Sequence, residues 1–208
     1  MPKALAVWFE EMMHSANSSF ALYPALTTGA TLCLDAHASE AQKQAYLPKL
    51  YSGEWSGTMC LTEPHCGTDL GIMRSKAVPN DDGSYNISGT KIFITGGEHD
   101  MVDNIIHLVL AKLPDAPAGS QGLSLFLVPK YRLDENGEPG EFNNIRRANI
   151  AHKMGLHRSP TCLITLADGG PPAGSPTGQP TRALALFSPP LHLPSLLSLL
   201  SLPPLLSS

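Results

Sequence analysis

The chain has 208 residues, enough for one or two domains with a real core. Hydrophobic residues make up 42% and charged residues 15%, and the formal net charge is -4, so no basic surface argues for nucleic acid. Cys33, Cys60, Cys66 and Cys162 form neither a CxxC pair nor a disulfide framework, and they read as reduced thiols of a cytoplasmic protein. The N-terminus reaches Glu10 and Glu11 too early for a signal peptide and offers no small-residue cleavage site.

In chain order, residues 1–53 read as helices. "ALAVWFEEMMHSA" is built of helix formers, with Leu5, Trp8, Phe9, Met12 and Met13 spaced to share a face. "YPALTTGATLCLDAHA" is a second helix, with Pro24 suited to its first turn. "SEAQKQAYLPKLYSG" is a third, capped by Ser39, stopped by Gly53, and expected to kink or end at Pro48. After Gly53 the pattern changes to strands. "EWSGTMCLTE" is the first, and "RSKAVPNDDGSYNISGTKIFIT" is a hairpin turning at Asp82-Gly83. "NIIHLVLAKL" and "GLSLFLVPK" are buried strands, and "GEFNNIRRANIAHKMGLHRSPTCLITLAD" adds two or three more. Residues 54–168 therefore form a small barrel or sandwich, and the whole is α+β.

From Gly169 the composition collapses to Pro, Ser, Leu, Gly, Ala and Thr, with Arg182 the one charged residue. Prolines at 189, 190, 194, 203 and 204 interrupt every apolar run, which argues against a membrane span. Residues 169–208 are expected to be a disordered tail, read as sequence not selected as protein, as after a frameshift or truncation.

The stretch "MCLTEPHCGTDLG", Met59 to Gly71, crowds several chemistries together. His65 and Cys66 are both metal-ligand types, but adjacent residues rarely share one ion and no second pair has zinc spacing, so a polar loop is the preferred reading. Glu63 could be a general base or could accept backbone hydrogen bonds and fix the turn, and the structural role is favoured. Gly67, Thr68 and Asp69 could present N–H groups and a hydroxyl to an anion, or form an ordinary turn. On "KIFITGGEHD", Phe93 and Thr95 share one side of a strand and Ile94 takes the other, which suits either a flat ring ligand or a barrel wall.

Taken together, "MCLTEPHCGTDLG" and, some twenty residues later, "GTKIFITGGEHD" resemble the middle domain of the acyl-CoA dehydrogenase family. The resemblance covers residues 1 to 168. With "HLVLAKLPDAPAGSQGLSLFLVPK", the wording is most similar to a bacterial subgroup that includes 3-methylmercaptopropionyl-CoA dehydrogenases. It implies N-terminal helices leading into the family's β-barrel, FAD as cofactor, and α,β-dehydrogenation of an acyl-CoA in fatty acid metabolism. It further implies an electron-transfer flavoprotein as acceptor and a homodimer or homotetramer as assembly.

By position, the resemblance sets Met59, Cys60, Leu61 and Thr62 along the flavin. Gly67 and Thr68 approach the pyrophosphate, with Thr68 also at the CoA portion of the substrate. Phe93, Ile94 and Thr95 cover one flavin face, Phe93 standing where most relatives have Trp. Met59 stands where many relatives have an aromatic residue. Glu63 then reads as a turn-former and His65-Cys66 as loop filling. No residue matches the family's catalytic Glu, which comes from a C-terminal helical domain. The chain therefore reads as a fragment cut at both ends, with apolar surface left exposed and little or no turnover expected. The alternative is a flavin- or CoA-binding β domain without catalysis.

Overall fold

The computed structural model describes residues 3–166 and 181–185, with backbone alone at residues 3, 181 and 182. Helix α1 (Lys3–His37) is two arms that meet at Asn17, whose backbone leaves the helical region (φ -160, ψ 91). The Asn17 side-chain oxygen accepts the Phe20 N–H at 3.1 Å, so this residue caps the second arm. That arm therefore starts earlier than the sequence suggested, and Pro24 lies inside it rather than in its first turn. Leu5, Trp8, Phe9 and Met12 of the first arm are exposed, which fits the expected uncovered apolar face. Helix α2 (Glu40–Ser52) carries the capping box of Ser39 and Gln42 and ends at Gly53 in the left-handed conformation (φ 79). Pro48 does not end it, and Tyr46, Leu47 and Leu50 turn inward. Among the described residues no helix is long and apolar enough to cross a membrane.

Among the described residues ten strands follow: β1 (Trp55–Cys60), β2 (Lys76–Pro79), β3 (Tyr85–Thr95), β4 (Asn104–Lys112), β5 (Leu123–Pro129), β6 (Tyr131–Leu133), β7 (Pro139–Phe142), β8 (Ile145–Ala151), β9 (Thr161–Leu166) and β10 (Thr181–Ala185). The β2–β3 hairpin turns through Asp82-Gly83, where Gly83 takes φ 79, as the sequence implied. Strands β4, β5, β10, β3 and β2 close a ring, each hydrogen-bonded to the next. Strand β1 extends it in parallel from β4, and β9 and β8 extend it from β3. The small β6–β7 hairpin stands apart.

Strand β10 falls within the stretch expected to be a disordered tail, yet it fills the gap between β5 and β3. The Gln42 amide of α2 also donates to the Ala185 carbonyl at 3.0 Å. The rest of that stretch, 169–180 and 186–208, lies outside the described residues.

Two apolar layers hold the fold together. Ile87, Ile94, Val109, Phe126 and Ile164 fill the barrel. Leu108, Leu125 and Trp55 on the opposite face pack against Leu34, Leu47 and Leu50 of the helices. Both faces of β4 and β5 are covered, which is why these strands read as continuous apolar runs rather than alternating ones. Helix α1 approaches β1 so closely that a Cβ on Gly57 would stand 2.4 Å from the Ala30 Cβ.

Candidate functional site

The site is built where the end of β1 meets β3. Along β1 the side chains alternate. Met59 and Leu61 are half-buried against the helix-side layer, while Cys60 is buried inside the barrel. Beyond the strand, the Thr62 carbonyl accepts the Ile92 N–H at 2.9 Å, which sews the two segments together. A tight turn then closes on itself through Glu63 N–H to Cys66 O (2.8 Å) and Cys66 N–H to Glu63 O (3.1 Å). Gly67 and Thr68 follow, both exposed. A Cβ at Gly67 would lie 3.3 Å from Thr62 Cγ2, so glycine lets the loop pass close to that side chain. The Asp69 carboxylate accepts the Gly71 N–H at 2.9 Å and caps a short 3-10 turn.

Glu63 is a turn-former, as the preferred sequence reading had it, but its partner was missed. Its carboxylate accepts N–H groups from Arg74 (2.8 Å) and Ser75 (3.0 Å) and the Lys91 ammonium (2.9 Å). The Lys91 side chain is 0% exposed and also reaches the Leu61 carbonyl at 3.2 Å. Burial pushes the Glu63 carboxyl up, but the Ser75 and Arg74 hydrogen bonds and the Lys91 charge outweigh it and hold its pKa below the ordinary value. Burial pulls the Lys91 pKa down despite the Glu63 charge. A group so engaged is not a free base. The signal that could have found the pair is a lysine in the middle of an otherwise uncharged strand.

On β3, pairing with β9 slips between Lys91 and Ile94, so that Ile92 and Phe93 form a bulge. Phe93 sits there at φ 60, a conformation rare for an aromatic residue, with 53% of its surface exposed. The Lys153 ammonium lies 4.5 Å from its ring centroid. Ile94 points into the barrel and Thr95 is half-buried, but the bulge interrupts the regular alternation, since Lys91 and Ile94, three positions apart, are both buried. The structure therefore brings Thr62 and Phe93 onto neighbouring strand ends. Cys60 and Ile94 turn their side chains inside the barrel.

A second polar group behind β1 was not foreseen. His107 Nδ1 lies 2.7 Å from Thr58 Oγ1 and 3.8 Å from Cys60 Sγ. Burial, with Lys130 and His99 nearby, pushes the imidazole pKa down to about 3. It is neutral at physiological pH and enclosed by the barrel.

Comparison with known proteins supplies the frame for these features. The profile of the acyl-CoA dehydrogenase middle domain matches residues 58–168, and that of the N-terminal domain matches residues 2–54. The chain is 52% identical to 3-methylmercaptopropionyl-CoA dehydrogenase of Ruegeria pomeroyi over 79% of its own length and 28% of the relative's. It is 45% identical to a butyryl-CoA dehydrogenase of Syntrophomonas wolfei, over 76% of this chain and 26% of that one. A broad-specificity linear acyl-CoA dehydrogenase of Mycobacterium tuberculosis is 42% identical, over 83% and 28%. Butyryl-CoA dehydrogenase from Megasphaera elsdenii superposes with a TM-score of 0.55 at 30% identity, covering 71% of this chain and 35% of that one. Glutaryl-CoA dehydrogenase of Mycobacterium smegmatis in complex with FADH2 shares the fold, with a TM-score of 0.64 at 23% identity over 90% and 41%. The chain thus spans 28% or less of the length of the three curated relatives named here.

Proposed function

This chain belongs to the acyl-CoA dehydrogenase family, and we propose that the end of β1, its turn and the β3 bulge form one wall of an FAD site serving α,β-dehydrogenation of an acyl-CoA thioester. The observation that carries the reading is Phe93, a half-exposed aromatic residue held at positive φ beside the Thr62 turn. Strain of this kind persists where the surroundings over-determine it, and it concentrates at ligand sites.

FAD, when bound, supplies the hydride acceptor for oxidation between Cα and Cβ. The chain's own residues bind and orient it. Met59, Cys60 and Leu61 present backbone groups along the ring system, and the Thr62 and Thr95 hydroxyls add neutral donors for an edge that gains negative charge. Phe93 covers one face, with the Ile94 backbone behind it. Gly67 and Thr68 offer N–H groups to the pyrophosphate, and the Thr68 hydroxyl also serves the CoA portion of the substrate.

Of the carboxylates in the turn, Glu63 is held by Lys91 and two backbone N–H groups and Asp69 caps Gly71, so each already serves the turn. We therefore assign cofactor binding and orientation to these residues, and we expect no acyl-CoA oxidation from them alone. That both carboxylates of the turn are already engaged also favours a second reading, flavin or CoA binding without catalysis. By analogy with these relatives, a short, linear acyl thioester is the proposed substrate. An electron-transfer flavoprotein as acceptor, a homodimer or homotetramer, and a cytoplasmic location with free cysteines complete the reading.

Titrating the full chain with FAD, read by flavin absorbance and fluorescence quenching, tests the proposal. Stoichiometric binding that weakens in Thr95→Val supports it, and no binding, or binding indifferent to Thr62 and Thr95, overturns it. Bleaching of the bound flavin by butyryl-CoA would separate catalysis from binding alone.

A further inference from the structure

The turn after β1 does more than shape a backbone corner. It brings a Glu63 carboxylate oxygen, a ring nitrogen of His65 and the Cys66 sulfur within 4.8 Å of one another. We propose that these three side chains bind a divalent cation of the zinc class.

The two backbone hydrogen bonds between Glu63 and Cys66 fix the turn before any ion arrives. His65 Nε2 stands 3.5 Å from Glu63 Oε2. Two nitrogen or oxygen ligands of a tetrahedral zinc, with bonds of 2.0–2.1 Å, are roughly 3.3 Å apart. The pair therefore needs only a few tenths of an ångström to close on an ion. Glu63 Oε1 is taken by Lys91 and Ser75, while Oε2 accepts the single N–H of Arg74 and keeps a lone pair on the side of His65. His65 is exposed and gives up one hydrogen bond, to the Ile72 carbonyl at 3.1 Å. Cys66 lies beneath it, buried and unbridged.

On binding, the Cys66 S–H proton passes to solvent, and the sulfur and the neutral imidazole each donate an electron pair. Three protein ligands leave a fourth position for water. The Lys91 ammonium lies on the far oxygen of the same carboxylate, so affinity falls short of an all-Cys/His structural site. Among the described residues no other group of three such ligands converges in this way. Gly67 and Thr68 follow directly, so an ion here would stiffen the loop whether or not a flavin binds.

Cobalt is the probe. The reduced full chain is titrated with Co2+ without oxygen, and absorbance is read in the near-ultraviolet and visible. The expected result is one equivalent, with a thiolate-to-cobalt band and tetrahedral d–d bands, both erased by Zn2+. His65→Ala touches an exposed residue and leaves folding intact, which far-UV circular dichroism checks. Losing even an outer-shell partner of a metal ligand costs roughly 10–100-fold in affinity, so losing His65 should cost at least that. Cys66→Ser should erase the thiolate band, while Cys33→Ser should keep it. No band in the wild type, a band that survives Cys66→Ser, or an affinity unchanged in His65→Ala overturns the site.

Discussion

Replacing Glu63 with glutamine keeps the volume and removes the charge at the point where β1 and β3 are joined. In the wild type both side chains are dry, 2% exposed for Glu63 and 0% for Lys91, and the carboxylate accepts two backbone N–H groups and the ammonium. Glutamine must turn its amide NH2 toward one of those donors and leaves Lys91 without a counter-charge. Breaking one side of a buried pair costs about 3–5 kcal/mol, and the lost acceptor overlaps with that figure rather than adding to it. Lys91→Met is milder. Glu63 keeps both backbone N–H bonds and can neutralise itself by taking up a proton, methionine replaces the bulk of the stem, and the Leu61 carbonyl and one Glu63 oxygen lose the ammonium donor, a loss of about 1–3 kcal/mol. The double variant should cost less than the sum of the two, because neither charge is left stranded. Urea unfolding of the full chain by far-UV circular dichroism, with m unchanged across the set, measures all three. Because the folded-state pKa of Glu63 is lowered, its stabilisation is present above the ordinary carboxylate pKa and is lost as pH falls through the folded value, so wild type and Glu63→Gln should converge in acid. A Glu63→Gln loss of about 1 kcal/mol or less, as for an exposed pair, or a costlier Lys91→Met, refutes the reasoning.

His107 gives a second pH signature. With a folded pKa of about 3 against an ordinary 6.5, the folded chain cannot take the proton that the unfolded chain takes. Stability is therefore full above the ordinary value and falls by about 1.4 kcal/mol per pH unit as pH drops between the two. His107→Gln should flatten urea midpoints over that range by one proton, and an unchanged slope would mean the imidazole is not held neutral. Phe93→Gly relaxes a backbone at φ 60 and removes a ring that is 53% exposed, so stability should move by no more than about 1 kcal/mol. FAD affinity in the same variant should fall roughly fivefold, the worth of one aromatic contact, and an unchanged Kd rules out ring contact. Gly57→Ala forces a Cβ to 2.4 Å from that of Ala30 and should cost about 1–3 kcal/mol. Adding Ala30→Gly should recover part of that loss, and strictly additive losses would show that α1 and β1 do not meet there.

Local chemistry in the sequence was enough for the two ends of α2, though not for its passage through Pro48, and for the β2–β3 hairpin and the buried strands β4 and β5. Ser39 with Gln42, Asp82-Gly83 and the unbroken apolar runs each fix a structure within a few residues. Asn17 was missed because a capping side chain inside a helical stretch has no period, and Pro24 drew the boundary toward itself. Strand β10 was missed for a different reason. Its "TRALA" lies among prolines and serines that argue against any element, and only the open edges of β3 and β5 make it a strand. Lys91 was read as a strand residue because nothing within a few positions announces Glu63, 28 residues earlier.

The two motifs that stood out in the sequence are one object in space, and the bulge between them follows from that. Lys91 must send its side chain under the turn to Glu63 and Leu61, while Ile92 must give its N–H to Thr62. The same strand must still resume pairing with β9 at Ile94, and a regular two-residue alternation cannot satisfy all three. The extra residue is Phe93, turned outward at positive φ. The strain at Phe93 is thus imposed by the Glu63–Lys91 pair, and the two are coupled: Lys91→Met, by loosening the strand, should lower the cost of Phe93's conformation as well as remove a hydrogen bond. A double-mutant cycle between Lys91→Met and Phe93→Gly, read by the same urea unfolding, would show this as a gain from glycine that shrinks when Lys91 is gone. Equal gains in both backgrounds would mean that the bulge is set by β9 alone.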